Sequence, residues 1–140
     1  KITEQIIKTN LIGTIFSNQV FTPLLIRNKW GRIINFSTIA VPLGLKGESV
    51  YIASKAGVEA FTKVFAKELS PFNITVNCIA PGPIRTNLIK GLQEKQIKKV
   101  ISKQIIQKEM SKSDVFKIVQ LLLQDNSSNI TGHIINIGGV

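Results

Sequence analysis

The chain has 140 residues, 44% of them apolar and 19% charged, the make-up of one folded domain long enough to bury a core. No apolar run reaches membrane-spanning length and no charged-then-apolar leader opens the chain, so no membrane role is expected and the default compartment is the cytoplasm. The formal charge of +10 rests on 18 Lys and Arg against 8 Asp and Glu; fifteen of the eighteen are lysines scattered among Ile and Asn, without the arginine clusters or stacking aromatics that would point to nucleic acid.

Ile2, Ile6, Ile7, Leu11, Ile15 and Phe16 recur at helical spacing, so residues 1–28 read as one long helix with a kink or local break at Pro23. Lys1 is neither an initiator methionine nor a capping residue, and the expectation is that the chain is cut from something longer. After the turn RNKWGR, the run IINFS reads as a buried strand ending near Ser37. A loop carrying Pro42, Gly44 and Gly47 leads to a second helix, Ser49 to Leu69, which Ser70 and Pro71 stop. ITVNCIA is a second buried strand, in which the lone cysteine, Cys78, reads as a small packed hydrophobe. His133 is the only histidine and no CxxC or HxxxH spacing exists, so no metal site is expected.

PGPIRT can be neither helix nor strand, with two prolines around a glycine. Residues 88–110 read as a lysine-rich amphipathic helical region; Lys90 to Lys112 holds seven lysines, either a solvated helix face or a basic rim around a substrate site. SKSDVFKIVQLLLQ supplies a capped helix and HIINIGG a third strand. The alternation of helices and strands predicts an α/β fold, a parallel sheet covered by helices on both faces, with 1–140 as a single domain.

In such sheets ligands bind outside the carboxyl ends of the strands. Ser37 and Thr38 end the first strand, Pro81 to Thr86 follow the second, and the helix carrying Tyr51 and Lys55 begins between them in sequence. At four residues apart, Tyr51 and Lys55 share a helix face. A fixed ammonium beside a phenol should lower its pKa from about 10, and a phenol so tuned can transfer protons with a gain of roughly 10²–10⁴-fold. The same pair also suits an aromatic and a snorkelling lysine on an ordinary amphipathic helix, and spacing alone leaves both readings open.

Five phrases, TNLIGTIF, GRIINFST, YIASKAGVEAFTKVFAKEL, ITVNCIAPGPIRT and TGHIINIGG, occur in order along essentially the whole chain. In this arrangement the sequence resembles the C-terminal part of the classical short-chain dehydrogenases/reductases, with a flavour of the 3-oxoacyl-carrier-protein reductase group. The resemblance implies a Rossmann-like fold present as its C-terminal, catalytic and substrate-binding half, and a hydride transfer between NAD or NADP and a carbonyl or alcohol. It casts Tyr51 as the general acid, and Lys55 as the residue that binds the nicotinamide ribose beside Tyr51 and depresses its pKa. It casts Asn10 as holder of a water in a proton relay, and Pro81, Gly82, Ile84 and Thr86 as the clamp on the nicotinamide carboxamide. It further implies a homo-oligomer through helices 1–28 and 49–69, and a substrate linked to acyl carrier protein or coenzyme A.

Two departures stand out. The serine the family carries at the strand end falls on Thr38, thirteen residues before Tyr51, while Ser37 is expected to alternate to the other face of the strand. None of the ten glycines makes a GxxxGxG or GxGxxG turn, so the pyrophosphate-binding half has no counterpart and the first strand is expected to leave one edge unpaired. A competing expectation is therefore a truncated, non-catalytic relative kept as an oligomerisation or binding module. Leu43, Leu45, Leu88 and Leu92 could line an apolar substrate pocket or simply pack their own loop and helix.

Overall fold

The computed structural model describes residues 1–89, 91 and 93–140, with Leu88 described by its backbone alone. Three parallel strands, β1 (Gly31–Phe36), β2 (Ile74–Pro81) and β3 (Ile134–Ile137), form one sheet in the order β1-β2-β3. Gly31 pairs with Ile74 and Phe36 with Ile79, while Cys78 to Pro81 pair with Ile134 to Ile137. β2 is central and buried along nearly all its length, which explains its unbroken apolar and β-branched run. The far edge of β1 has no strand partner among the described residues. This is the parallel α/β arrangement that the alternation predicts and the Rossmann-like fold that the resemblance implies.

Helix α1 (Ile2–Ile7) passes through a π-helical turn, Lys8–Ile12, into α2 (Gly13–Asn28). The long first helix is thus present, but its irregularity lies at Asn10 rather than at Pro23, which α2 carries without interruption. Pro23 forfeits one backbone bond, a loss that neighbouring turns bridge; the π turn widens the helix by an extra residue and rotates everything after it. Lys29 ends α2 in the left-handed conformation, with its N–H on the Ile26 carbonyl and that of Trp30 on the Leu25 carbonyl.

Between β1 and β2 come the short helix α3 (Ala40–Leu43) and the long α4 (Ser49–Leu69), whose bounds are those the sequence predicts. Ser54, Val58, Thr62, Phe65, Ala66 and Leu69 form its buried stripe at three- and four-residue spacing. Phe65, Ala66 and Leu69 pack on Ile74 and Val76 of β2, with Leu25, Ile26, Ile33 and Phe61 closing the cluster and the Phe61 and Phe65 rings stacked at 4.8 Å. Gly57 lets the π turn approach: a Cβ there would stand 2.9 Å from Leu11 Cδ2.

After β2 the stretch expected to be a lysine-rich helical region, 88–110, is helical among the described residues at a 3₁₀ turn, Asn87–Ile89, and at α5 (Glu94–Ile101). Residues 102–110 are irregular because Gln104 is buried among backbone: its Nε2 donates to the carbonyls of Ile106 and Lys108, and the amides of Ile105 and Ile106 bond Gly139 and Gly138. Helix α6 (Lys112–Leu123) starts at a Ser111–Asp114 capping box and packs across β1 and β2 on the face opposite α4, burying Leu122. Among the described residues no helix is long and apolar enough to cross a membrane.

Candidate active site

Beyond Phe36 the chain leaves the β1 ladder and turns toward α3, and here three consecutive residues of β1's end meet three residues of α4. The Phe36 carbonyl accepts from Lys55 Nζ at 3.0 Å, the Ser37 hydroxyl donates to Glu59 Oε1 at 2.5 Å, and the Thr38 hydroxyl stands near enough to the Tyr51 phenol to draw its pKa down. Tyr51, Lys55 and Glu59 are spaced one turn apart, so a single stripe of α4 holds the strand end. Thr38 thus lies on the side of Tyr51, as the thirteen-residue spacing predicts. Ser37 does not turn to the far face of the strand as expected: it follows Ile33 and Asn35 onto the α4 side, as alternation along β1 dictates, with its amide bonded to Ile79 at 2.8 Å, and it is Thr38, past the ladder, that leaves the alternation as the chain turns into α3.

Thr38 Oγ1 also accepts from the Ala40 amide at 3.2 Å, which fixes its rotamer. Ser37 and Glu59 are partners that sequence reasoning missed; the signal was the i, i+4, i+8 series Tyr51, Lys55, Glu59.

The electrostatics differ from the sequence expectation. The Tyr51 phenol is pushed above its ordinary value, chiefly by burial, with Glu48 adding to the rise and the Thr38 hydroxyl opposing it. The neighbouring ammonium does not lower it, since Lys55 is itself half-buried and engaged by the Phe36 carbonyl, and burial holds its own pKa below the ordinary lysine value. Behind them Cys78 is fully buried and its thiol is pushed up to about 12, first by burial and then by the Glu59 carboxylate, against the opposing charge of Lys55. That leaves it the inert packed thiol its strand setting predicts.

Asn10 lies in the π turn and its Nδ2 donates to Ser54 Oγ at 3.1 Å, whose hydroxyl in turn donates to the Tyr51 carbonyl at 2.7 Å. Asn10 and Lys55 share a cavity of about 720 Å³ between α2 and β1, with Asn18, Phe21, Asn35 and Phe36 also in its wall. A buried polar ladder crosses its floor: Asn18 Nδ2 donates to Asn35 Oδ1 at 2.9 Å and Asn35 Nδ2 to Thr62 Oγ1 at 3.0 Å, tying α2, β1 and α4 together.

Pro81, Gly82, Ile84 and Thr86 continue from β2 beside this rim. The Ile39 amide bonds the Pro81 carbonyl at 3.2 Å, which brings the loop next to Thr38. Gly82 must be glycine, because a Cβ would run into the buried Gln104 amide, and Ile84 bridges Met110 in parallel fashion. Arg85 anchors the loop from outside, with Nη2 2.9 Å from Glu94 and Nε 2.7 Å from Glu109. Leu43 and Leu45 are half-buried; Leu92, Lys90 and the Leu88 side chain lie outside the described residues.

Comparison with known proteins gives the family that carries this fold. The family model described as enoyl-(acyl carrier protein) reductase matches residues 1–139. The 3-oxoacyl-(acyl-carrier-protein) reductase FabG of Aquifex aeolicus is 38% identical over 137 residues, 97% of this chain and 55% of its own length. The FabG of Thermotoga maritima is 36% identical over 136 residues, 97% of this chain and 55% of its length. Nodulation protein G of Rhizobium meliloti is 34% identical over 134 residues, again 55% of its length. The chain spans about half the length of the curated relatives it matches, and it belongs to the short-chain dehydrogenase/reductase family, whose C-terminal part it represents.

Proposed function

We propose that residues 1–140 form the catalytic and substrate-binding half of an NAD(P)-dependent reductase that acts on the carbonyl of a 3-oxoacyl group, with Tyr51 as the proton donor. The observation that carries the reading is the meeting of the β1 strand end with one face of α4, where Lys55 Nζ donates to the Phe36 carbonyl at 3.0 Å and the Thr38 hydroxyl stands near enough to the Tyr51 phenol to draw its pKa down. A buried phenol with a raised pKa is protonated throughout the neutral range, which suits an acid that gives its proton to a developing alkoxide. Thr38, its oxygen engaged by the Ala40 amide, has one hydroxyl hydrogen, the one that draws the Tyr51 phenol down and that would turn to the substrate oxygen when one is bound.

The rim fits the nicotinamide end of a dinucleotide by its donor set. Lys55 spends one N–H on Phe36 and retains two for ribose hydroxyls beside Tyr51, and the Ile39 amide on the Pro81 carbonyl holds the start of the Pro81–Thr86 loop beside Thr38, so Gly82, Ile84 and Thr86 are the residues that would meet the carboxamide. When bound, such a cofactor supplies the hydride. No residues here fit its pyrophosphate, since the chain has no glycine-rich turn. Asn10, through Ser54, anchors the π turn against α4 and stands beside Lys55 in the shared cavity, the position for a relay that reprotonates Tyr51.

Two features support the partners. Lys95, Lys98, Lys99, Lys103, Lys108 and Lys112 are all exposed, a basic surface for an acidic carrier protein or a coenzyme A phosphate. Ile12, Phe16, Val20 and Leu24 form an exposed apolar stripe at four-residue spacing on the first helix, which fits a second copy of the protein. That stripe on its own also supports a non-catalytic oligomerisation module.

Replacement of Tyr51 separates the two. In the full-length protein Tyr51→Phe is expected to lower reduction of a 3-oxoacyl thioester by roughly 10²–10⁴-fold while nicotinamide cofactor binding, followed by fluorescence titration, stays nearly unchanged. Undiminished turnover in the phenylalanine variant removes Tyr51 from the chemistry.

A further inference from the structure

We propose that Glu59 is a positioning residue that, by holding the Ser37 hydroxyl, sets the alignment of Thr38 with Tyr51. The inference rests on the reading of Tyr51 as proton donor but concerns a residue that touches neither substrate nor cofactor. Thr38 lies beyond the last ladder residue of β1, in the short stretch before α3, where the pleat no longer dictates which way a side chain points. Backbone bonds from Ser37 and Ile39 to β2 fix the path of the chain there, at 2.8 and 3.2 Å. Two side-chain hydrogen bonds join this stretch to the helix bearing Tyr51, Lys55 on Phe36 and Glu59 on Ser37, and beside them the Thr38 hydroxyl comes near enough to the Tyr51 phenol to draw its pKa down.

The Glu59 contact differs in kind from its neighbours. Lys55 reaches a backbone carbonyl with a long, flexible stem that a bound ribose would also engage, so its hold is shared. Glu59 accepts from a hydroxyl that is 5% exposed, and no other hydrogen bond of the Ser37 side chain exists among the described residues. A charge-assisted hydrogen bond of this type is short and directional, and it works between two rigid elements, a strand end and a mid-helix position. Its removal frees Ser37 and with it the adjacent backbone that orients Thr38.

Tyr51 is the only tyrosine in the chain, so its ionisation is directly readable by tyrosinate absorbance or by NMR of labelled tyrosine. The charged groups around it are Glu48, Lys55 and Glu59. Removing a negative charge would by itself make the phenol more acidic. Loss of the Thr38 hydroxyl's approach, which draws the phenol down, works the other way. The two effects therefore differ in sign.

The test is a titration of Tyr51 in the full chain, with folding followed by circular dichroism. Ser37→Ala and Glu59→Leu are expected to move the midpoint upward, in the direction of Thr38→Val, and neither should add to Thr38→Val in the double variant. Glu59→Gln keeps an acceptor oxygen and should stay at or slightly below the native midpoint. In the active protein Glu59→Leu should lower kcat by roughly ten- to a hundredfold with little change in KM for cofactor. A Ser37→Ala midpoint equal to native, with Thr38→Val displaced, overturns the role of Glu59 and leaves the reading of Tyr51 standing. Should Glu59→Leu unfold the chain, the Ser37→Ala and Glu59→Gln pair decides the matter. Retained turnover in Tyr51→Phe removes the reading of Tyr51 without altering the titration result.

Discussion

At the scale of single residues, the balance of effects on Tyr51 decides how the site uses pH. The sequence expectation of a phenol acidified by Lys55 treats the ammonium as a free neighbouring charge. In the structure the phenol is half-buried, and the cost of placing an anion there outweighs the help available. The sign follows. The proton donor we propose is the neutral phenol, and a raised pKa keeps it neutral from low pH up through its ordinary value of 10.0. Reduction rates at saturating substrate are therefore expected to be flat through neutral pH and to fall only above about 10, measured as a kcat profile with a buffer-independent substrate. A limb centred near pH 7 to 8 would show that the phenol is acidified instead. Tyr51, Lys55 and Thr38 are legible in sequence because helix spacing and strand-end position fix them. The Ser37–Glu59 pair is legible only in its helix half, the i, i+4, i+8 series of α4, because which strand-end residue meets Glu59 depends on how β1 is set against α4, which no local pattern records.

At the scale of elements, legibility follows the strength of the local signal. Helix α4 is found at both ends because a continuous buried stripe meets a Ser-Pro stop. The π turn at Lys8–Ile12 leaves no mark in the apolar pattern, since Ile7, Leu11 and Ile15 still recur at four-residue intervals across it. The 102–110 stretch reads as helix from its composition and is not one, because a buried glutamine and the backbone of Gly138 and Gly139 claim its hydrogen bonds. For α6 the cap is explicit: Ser111 Oγ accepts from the Asp114 amide at 3.2 Å and the Asp114 carboxylate accepts from the Ser111 amide at 2.8 Å. That carboxylate is held below its ordinary range by these same bonds. Ser111→Ala should cost about 1 kcal/mol of stability, seen as a lower urea midpoint with an unchanged slope.

At the scale of the whole molecule, β1 and β3 both lack an outer strand neighbour among the described residues, so the sheet has two open flanks. β1 offers backbone donors and acceptors along its outer edge, beside an exposed Phe36 and Trp30. Such an edge recruits another strand. The 140-residue chain alone is expected to self-associate, and Ile34→Lys, which puts a charge on that edge, should shift its sedimentation profile toward monomer. An unchanged profile would place the association elsewhere, with the apolar stripe of α2 as the next surface to mutate. The cavity that holds Asn10 and Lys55 runs along this same edge, with β1 as its floor and α2 as its wall. Whatever chain segment pairs with β1 also roofs that chamber, so extending the sheet and drying out the lysine's surroundings are one physical event.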